Sequence, residues 1–150
     1  MRILISACLL GAPCRYDGAA KTQPWAAALA ERHELVPVCP EQLGGLPTPR
    51  VPSERRGARV VSRDGGDVTA RFRRGAEAAA ALCRLLGCQA AVLKERSPSC
   101  GCGEIYDGTF SGTLTPGNGT AAELLLAAGI PVYGESRAAE LLAEAPESDC

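Results

Sequence analysis

Four short apolar runs, Arg2 to Ser6, Leu35 to Val38, Ala90 to Leu93 and Pro131 to Tyr133, alternate with stretches of helical character along the chain. Each run is too brief for a helix and most are rich in β-branched residues, so they read as buried parallel strands. The clearest helix starts at Asp67, a good N-cap, and continues to about Leu86 before Gly87; Val68, Phe72, Ala76, Ala79 and Leu86 fall near one of its faces. Further helices are expected over Pro24 to Arg32, over Thr120 to Ala128 closed by Gly129, and over Arg137 to Glu144. Repeated strand–helix alternation predicts an open, mostly parallel α/β sheet with helices on both faces, Rossmann-like in organisation. Right-handed crossovers then bring the C-terminal end of every strand to one edge, where ligands of such sheets bind.

The stretch from Gln42 to Gly66 is rich in Pro, Gly and Arg, and predicts a long ordered loop over the site with one short strand at Arg59 to Ser62. A short echo, Arg15-Tyr16-Asp17-Gly18 and Ile105-Tyr106-Asp107-Gly108, is explained by two turns of similar chemistry.

With 150 residues the chain suits a single domain, residues 1–150, the last six or so expected to be disordered. A formal net charge of −1 offers no basic field for nucleic acid or anionic lipid. The opening apolar run is too short for the core of a signal peptide, and no apolar stretch approaches the roughly 20 residues that span a bilayer. These features predict a cytoplasmic protein without nucleic-acid or membrane partners. Its 8 cysteines are then hard to explain as disulfides, because the cytosol keeps thiols reduced; metal binding or catalysis becomes the leading explanation.

The strand pattern places Cys8 just after the first strand, Cys39 directly after the second, and Ser97 to Cys100 a few residues after the third. Any one of these thiols could be an ordinary buried hydrophobe. Three of them at one topological position are what a metal or cluster needs, since soft thiolates bind iron and zinc while the scaffold sets their directions. Cys83 and Cys88, near the back end of the long helix, read as structural, and Cys150 falls in the expected disordered tail. Cys14 and Cys102 each stand close to one of the three and could replace it as a ligand. Cys100-Gly101-Cys102 is one residue short of a zinc knuckle, which leaves a tetrahedral zinc site as the alternative.

Acids and hydroxyls lie among these thiols: Glu41, Glu95, Ser97 and Glu135. A sheltered carboxyl group there could act as general acid or base, although Glu41 equally suits a helix start. Lys94, Arg96, Arg15 and Arg50 could orient a polar or anionic substrate. Gly117 to Thr120 reads as a helix cap more than as a ligand site, and His33 is expected to contact the last carbonyls of its own helix.

Six motifs carry a family resemblance: Ser6-Ala7-Cys8-Leu9-Leu10-Gly11, Cys14-Arg15-Tyr16-Asp17-Gly18, Cys39-Pro40-Glu41, Gly44 to Arg50, Leu93 to Gly101, and Tyr106 to Phe110. Together they closely resemble the thiouracil desulfidase family, from the first strand to about Glu135. The resemblance implies a 4Fe-4S cluster held by Cys8, Cys39 and Cys100, with one iron free to take the sulfur of a thiolated pyrimidine. It also implies an acid–base pair at Glu41 and Ser97, with Cys14 a neighbour of the site, and desulfuration of a base such as 2-thiouracil without net redox change, releasing hydrogen sulfide. A hydro-lyase using an open cluster iron and a non-catalytic iron–sulfur, zinc-binding or redox-sensing module are the rival readings.

Overall fold

The computed structural model describes residues 1–143. The expected tail, with Cys150 and the end of the helix drawn to Glu144, lies outside the described residues. The elements run β1 (Arg2–Ser6), α1 (Ala26–Arg32), β2 (Glu34–Val38), α2 (Pro40–Leu43), β3 (Ser53–Arg56), β4 (Arg59–Ser62), α3 (Thr69–Leu85), β5 (Ala90–Leu93), β6 (Glu104–Tyr106), β7 (Leu114–Pro116), α4 (Thr120–Ala127), β8 (Val132–Gly134) and α5 (Ala139–Ala143). The main sheet has the order β2-β1-β5-β8 with every pair parallel. The chain builds from β1 outward to β2 and then returns to the other side of β1 through β5 and β8. That reversal makes the crevice between β1 and β5 the natural binding position at the strands' C-terminal ends.

The three central residues of β1, Ile3, Leu4 and Ile5, are fully buried, as a strand covered on both faces requires. Leu4, Ala91 and Leu93 pack against Ala79 and Cys83 of α3 and against Ala122 and Leu125 of α4. Ile3, Ile5 and Val92 face the other way, onto Leu29 of α1 and Leu141 of α5. Helices therefore cover both faces of an open parallel sheet.

The inward face of α3 is Phe72, Gly75, Ala76, Ala79 and Cys83, spaced by three and four residues. Leu86 does not complete it, since it lies past the helix end and is 36% exposed. The cap position falls one residue later than expected, on Val68, while Asp67 just before it accepts from the Thr69 N–H at 2.9 Å in a local turn. Gly75 serves a second purpose: a Cβ there would lie 1.8 Å from the Pro40 carbonyl oxygen, and one on Gly44 would lie 2.0 Å from that of Arg71. Two glycines thus let α2 sit directly on the backbone of α3, which fixes the helix that carries Glu41.

The segment from Gln42 to Gly66 is more ordered than a loop. Besides α2 it contains the antiparallel hairpin β3–β4, and a second hairpin, β6–β7, follows the third main strand. Strand β3 (Ser-Glu-Arg-Arg) shows no apolar alternation because its polar side chains join the two hairpins. Glu54 accepts from the N–H groups of Gly108 (2.9 Å) and Phe110 (3.0 Å), and Arg56 Nε donates to the Gly108 carbonyl at 2.7 Å.

Candidate active site

A cavity of about 580 Å³ opens at the C-terminal ends of β1, β2 and β5 and is roofed by the two hairpins. Cys8, Cys39 and Cys100 all line it, each delivered by the turn after a different strand. Cys8 sits in a 3-10 turn over residues 7–10, closed by Gly11 at φ 112°, a left-handed conformation that suits glycine. Cys39 is the N-cap of α2. Cys100 is fixed by its N–H, which donates to Ser97 Oγ at 3.1 Å.

The start of α4 holds the Ser97–Cys100 loop from behind. The N–H of Thr120 donates to the Pro98 carbonyl at 2.9 Å and that of Ala121 to the Ser99 carbonyl at 2.8 Å. A Cβ on Gly119 would lie 2.4 Å from the Ser99 carbonyl carbon, so the contact is backbone on backbone. The N–H groups of Gly117, Gly119 and Thr120 thus serve the carbonyls of Gly103, Gly101 and Pro98 rather than a ligand. Arg96, just before the loop, takes φ 68°, a left-handed conformation that costs a non-glycine residue roughly 1–2 kcal/mol.

The thiols influence one another. Burial pushes Cys8 up to about 12, helped by the nearby Cys100, Cys14 and Cys39 and opposed by the Lys94 ammonium. Burial also pushes Cys14 up to about 11, reinforced by Cys39, and Cys100 up to about 11 against hydrogen bonds from Ser6 and Ser99. Without a bound cation these groups keep their protons; a metal charge would reverse that preference and release them.

Glu41 lies in the first turn of α2 and also lines the cavity. Arg50 Nε donates to its Oε1 at 2.9 Å, and Ser99 Oγ to its Oε2 at 2.9 Å. Ser97 Oγ lies 3.0 Å from Ser99 Oγ, so the two residues of the expected acid–base pair are joined through a third. Sequence reasoning missed Ser99. Only its position between Ser97 and Cys100 could have marked it, and that says nothing about where its hydroxyl points.

Several sequence expectations change. Arg50 lines the cavity, but its guanidinium is engaged within the protein, with Glu41, Thr48 Oγ1 (3.0 Å), the Pro47 carbonyl (3.1 Å) and the Cys14 carbonyl (3.0 Å). Glu135 braces Lys94 at 3.3 Å and accepts from the Glu95 N–H at 2.7 Å, while Glu95 accepts from the Ser136 N–H at 3.0 Å. The Glu135 carboxylate and the Glu95 backbone carbonyl, which accepts from Lys94 Nζ at 3.2 Å, hold the Lys94 arm. His33 contacts the Met1 ammonium (Nδ1, 3.0 Å) and the Leu141 carbonyl (Nε2, 3.2 Å), not the carbonyls of its own helix, because its extended backbone carries the ring away from α1.

The remaining cysteines separate cleanly. Cys14 lines the cavity, and its carbonyl accepts from Arg50 and lies 3.7 Å from Cys39 Sγ. Cys102 packs against the core on the α3–α4 side with Sγ 3.8 Å from the Val132 carbonyl, and Cys83 and Cys88 belong to that core. Tyr16 and Tyr106, the echoed tyrosines, both line the cavity with Phe110. Each follows the same turn chemistry, Asp17 accepting from the Ala19 N–H and Asp107 from the Thr109 N–H, both at 3.0 Å. The echo is therefore structural in origin and places two aromatic rings on the cavity wall.

The donor set fits a polynuclear cluster. Among the described residues no three His, Cys, Asp or Glu side chains converge on a point that one metal ion could hold. Thiolates around a cluster several ångströms across need not converge in that way, and three soft thiols with no histidine among them are the chemistry that iron–sulfur clusters take.

Comparison with known proteins agrees with this geometry. A family model described as 2-thiouracil desulfurase matches residues 3–137. An uncharacterised Bacillus subtilis protein, YbbK, is 40% identical over 93% of this chain and 99% of its own length. The solved structure of a [4Fe-4S]-dependent thiouracil desulfidase, TudS (DUF523Vcz), superposes with a TM-score of 0.89 at 49% identity, covering 95% of each chain. This chain belongs to the 2-thiouracil desulfurase family.

Proposed function

We propose that this chain is a desulfidase acting on a thiolated pyrimidine such as 2-thiouracil in the cytoplasm, with Cys8, Cys39 and Cys100 holding a 4Fe-4S cluster whose fourth iron has no protein ligand. The observation that carries the reading is the meeting of those three thiols, in one cavity, with a carboxylate gripped on both oxygens by Arg50 and Ser99. When bound, the cluster supplies a Lewis acid toward the thiocarbonyl sulfur and an acceptor for that sulfur.

The chain supplies the rest. Tyr16, Tyr106 and Phe110 give the cavity an aromatic lining suited to a flat heterocycle, and Arg15, Arg96 and the Glu135-paired Lys94 line it as polar partners for the heterocycle's edge. Water adds its oxygen to the thiocarbonyl carbon, and Glu41 takes the proton that water loses. The Ser97–Ser99 pair keeps the carboxylate oriented for that transfer. The carbon ends as a carbonyl and the sulfur leaves as hydrogen sulfide carrying the two hydrogens of water, so no electron is gained or lost. A passive cluster-binding module has no need of a half-buried carboxylate held in this way, and among the described residues no donor set converges on a single zinc ion.

In an anaerobically reconstituted preparation, Glu41→Gln should keep the cluster's visible absorption and lose turnover of 2-thiouracil. Loss of the absorption as well would make Glu41 a structural residue, and undiminished turnover would refute its role.

A further inference from the structure

Hydrogen counting along the Ser97–Ser99–Glu41 contacts gives the chain a direction. A serine hydroxyl has two lone pairs and one hydrogen. Ser97 Oγ accepts two backbone N–H groups, from Ser99 and Cys100, each at 3.1 Å. Both lone pairs are thereby engaged, and what remains to bridge the 3.0 Å to Ser99 Oγ is the Ser97 hydrogen. Ser99 then accepts from Ser97 and keeps its own hydrogen for an acceptor. Two are in reach: Glu41 Oε2 at 2.9 Å and Cys100 Sγ at 3.5 Å. A carboxylate oxygen at the shorter distance is the stronger acceptor. Ser99 is 2% exposed, so water has little access to take its place, and its carbonyl is pinned by the N–H groups of Ala121 (2.8 Å) and Ala122 (3.2 Å) at the start of α4.

We propose that Ser99 is a positioning residue of the reaction: it passes the hydrogen bond of Ser97 on to Glu41 Oε2, so that Ser97 acts through Ser99 and Glu41 as one unit with a fixed donor direction. This rests on the desulfidase reading above. It also assigns Ser97 a role different from contact with the substrate, since its one hydrogen is spoken for inside the protein. With Arg50 on Oε1 and Ser99 on Oε2, the Glu41 carboxylate has one orientation relative to the cavity.

The test uses anaerobically reconstituted full-length protein with 2-thiouracil as the probe, in the variants Ser99→Ala, Ser99→Thr, Ser97→Ala, Ser97→Ala with Ser99→Ala, and Glu41→Gln. Losing one hydrogen bond to a charged group should lower kcat about 10- to 100-fold in Ser99→Ala, with KM and the iron and sulfide content unchanged. Ser99→Thr, which keeps the hydroxyl, should recover most of that loss. The double variant should be no slower than Ser99→Ala, because Ser97 has no other route to Glu41. The carboxylate stretch of Glu41, identified in infrared difference spectra by its absence in Glu41→Gln, should shift in Ser99→Ala. If the added threonine methyl prevents folding, the double-variant comparison and the infrared shift still decide the matter.

The proposal is overturned if Ser99→Ala keeps kcat within about twofold while Glu41→Gln is inactive, or if the losses of the two serine variants multiply. Glu41→Gln at the wild-type rate would instead overturn the desulfidase role of Glu41, and the infrared shift would then judge the hydrogen-bond coupling alone.

Discussion

Arg50 is the residue whose removal should reveal most about how the site is held. Its side chain is 7% exposed, that of Glu41 is 13% exposed, and they meet at 2.9 Å. Replacing Arg50 by Met keeps most of the apolar stem and deletes the charge. Glu41 would then be a largely buried carboxylate with Ser99 as its remaining partner, and the Cys14 and Pro47 carbonyls would each lose a donor. Breaking a buried pair from one side costs about 3–5 kcal/mol, most of it for the charge left behind. That is a large part of the 5–15 kcal/mol that separates a typical folded domain from its unfolded chain. Urea denaturation of the metal-free protein, which keeps ligand binding out of the equilibrium, should show the midpoint falling by roughly 1.5–2.5 M for a slope near 2 kcal/mol/M. Adding Glu41→Gln to Arg50→Met removes the stranded charge, so the double variant should be about 2 kcal/mol more stable than Arg50→Met alone. Arg59→Met is the control: its partner Asp67 is 46% exposed, it is itself 68% exposed, and such pairs contribute about 0–1 kcal/mol. Equal losses from Arg50→Met and Arg59→Met would refute the reasoning, as would a double variant weaker than Arg50→Met.

Three other outcomes follow from the same geometry. Gly75→Ala would bring a methyl group to 1.8 Å from the Pro40 carbonyl oxygen, so α2 must shift; a stability loss of at least 1–3 kcal/mol should accompany lower kcat, read by denaturation and 2-thiouracil turnover. Cys83→Ala should cost about 1–2 kcal/mol of core packing with full iron content, whereas Cys100→Ser should lose the cluster, and iron analysis separates the two. In the metal-free protein the thiols of Cys8, Cys14 and Cys100 are held at about 11 to 12 when folded, against 9.0 for a free thiol. The unfolded chain therefore loses these protons first. The contribution should be fully present below pH 9 and fall as the pH rises from 9 through about 12, which urea midpoints across that range would show; a flat profile would contradict the burial of these thiols.

What the sequence made legible was what repeats. Strand β5 is apolar throughout and β1 is apolar over Ile3 to Ile5 because both faces are covered, and their limits were readable to the residue; β4, the one strand expected between Gln42 and Gly66, was equally readable. From those strands followed the common edge, and from the edge the meeting of Cys8, Cys39 and Cys100. What stayed hidden has a physical reason in each case. Strand β3 carries Glu54 and Arg56, satisfied by the β6–β7 segment about fifty residues away, and Arg55, which donates to the Asn118 carbonyl and pairs with Glu123 of α4, so no local pattern announces a strand. Helix α2 is a single turn whose position depends on the absence of side chains at Gly44 and Gly75, a contact between two segments that the chain order keeps apart.

The site repeats this division between what is local and what is not. Arg50 looks from the chain like any solvent-facing arginine in a Pro-rich loop, and only the folded path of residues 47–50 past Cys14 turns it inward onto Glu41. Ser99 looks like a spacer between Pro98 and a cysteine. It becomes the link between Ser97 and Glu41 because α4 begins directly behind it and Gly119 leaves room for that approach. A motif can therefore name the groups that perform chemistry, while the residues that aim those groups emerge only from contacts across the fold. For this chain the consequence is concrete: Glu41 and Ser97 stand 56 positions apart in the sequence, and their communication depends on one hydroxyl group that neither the strand pattern nor the cysteine spacing singles out.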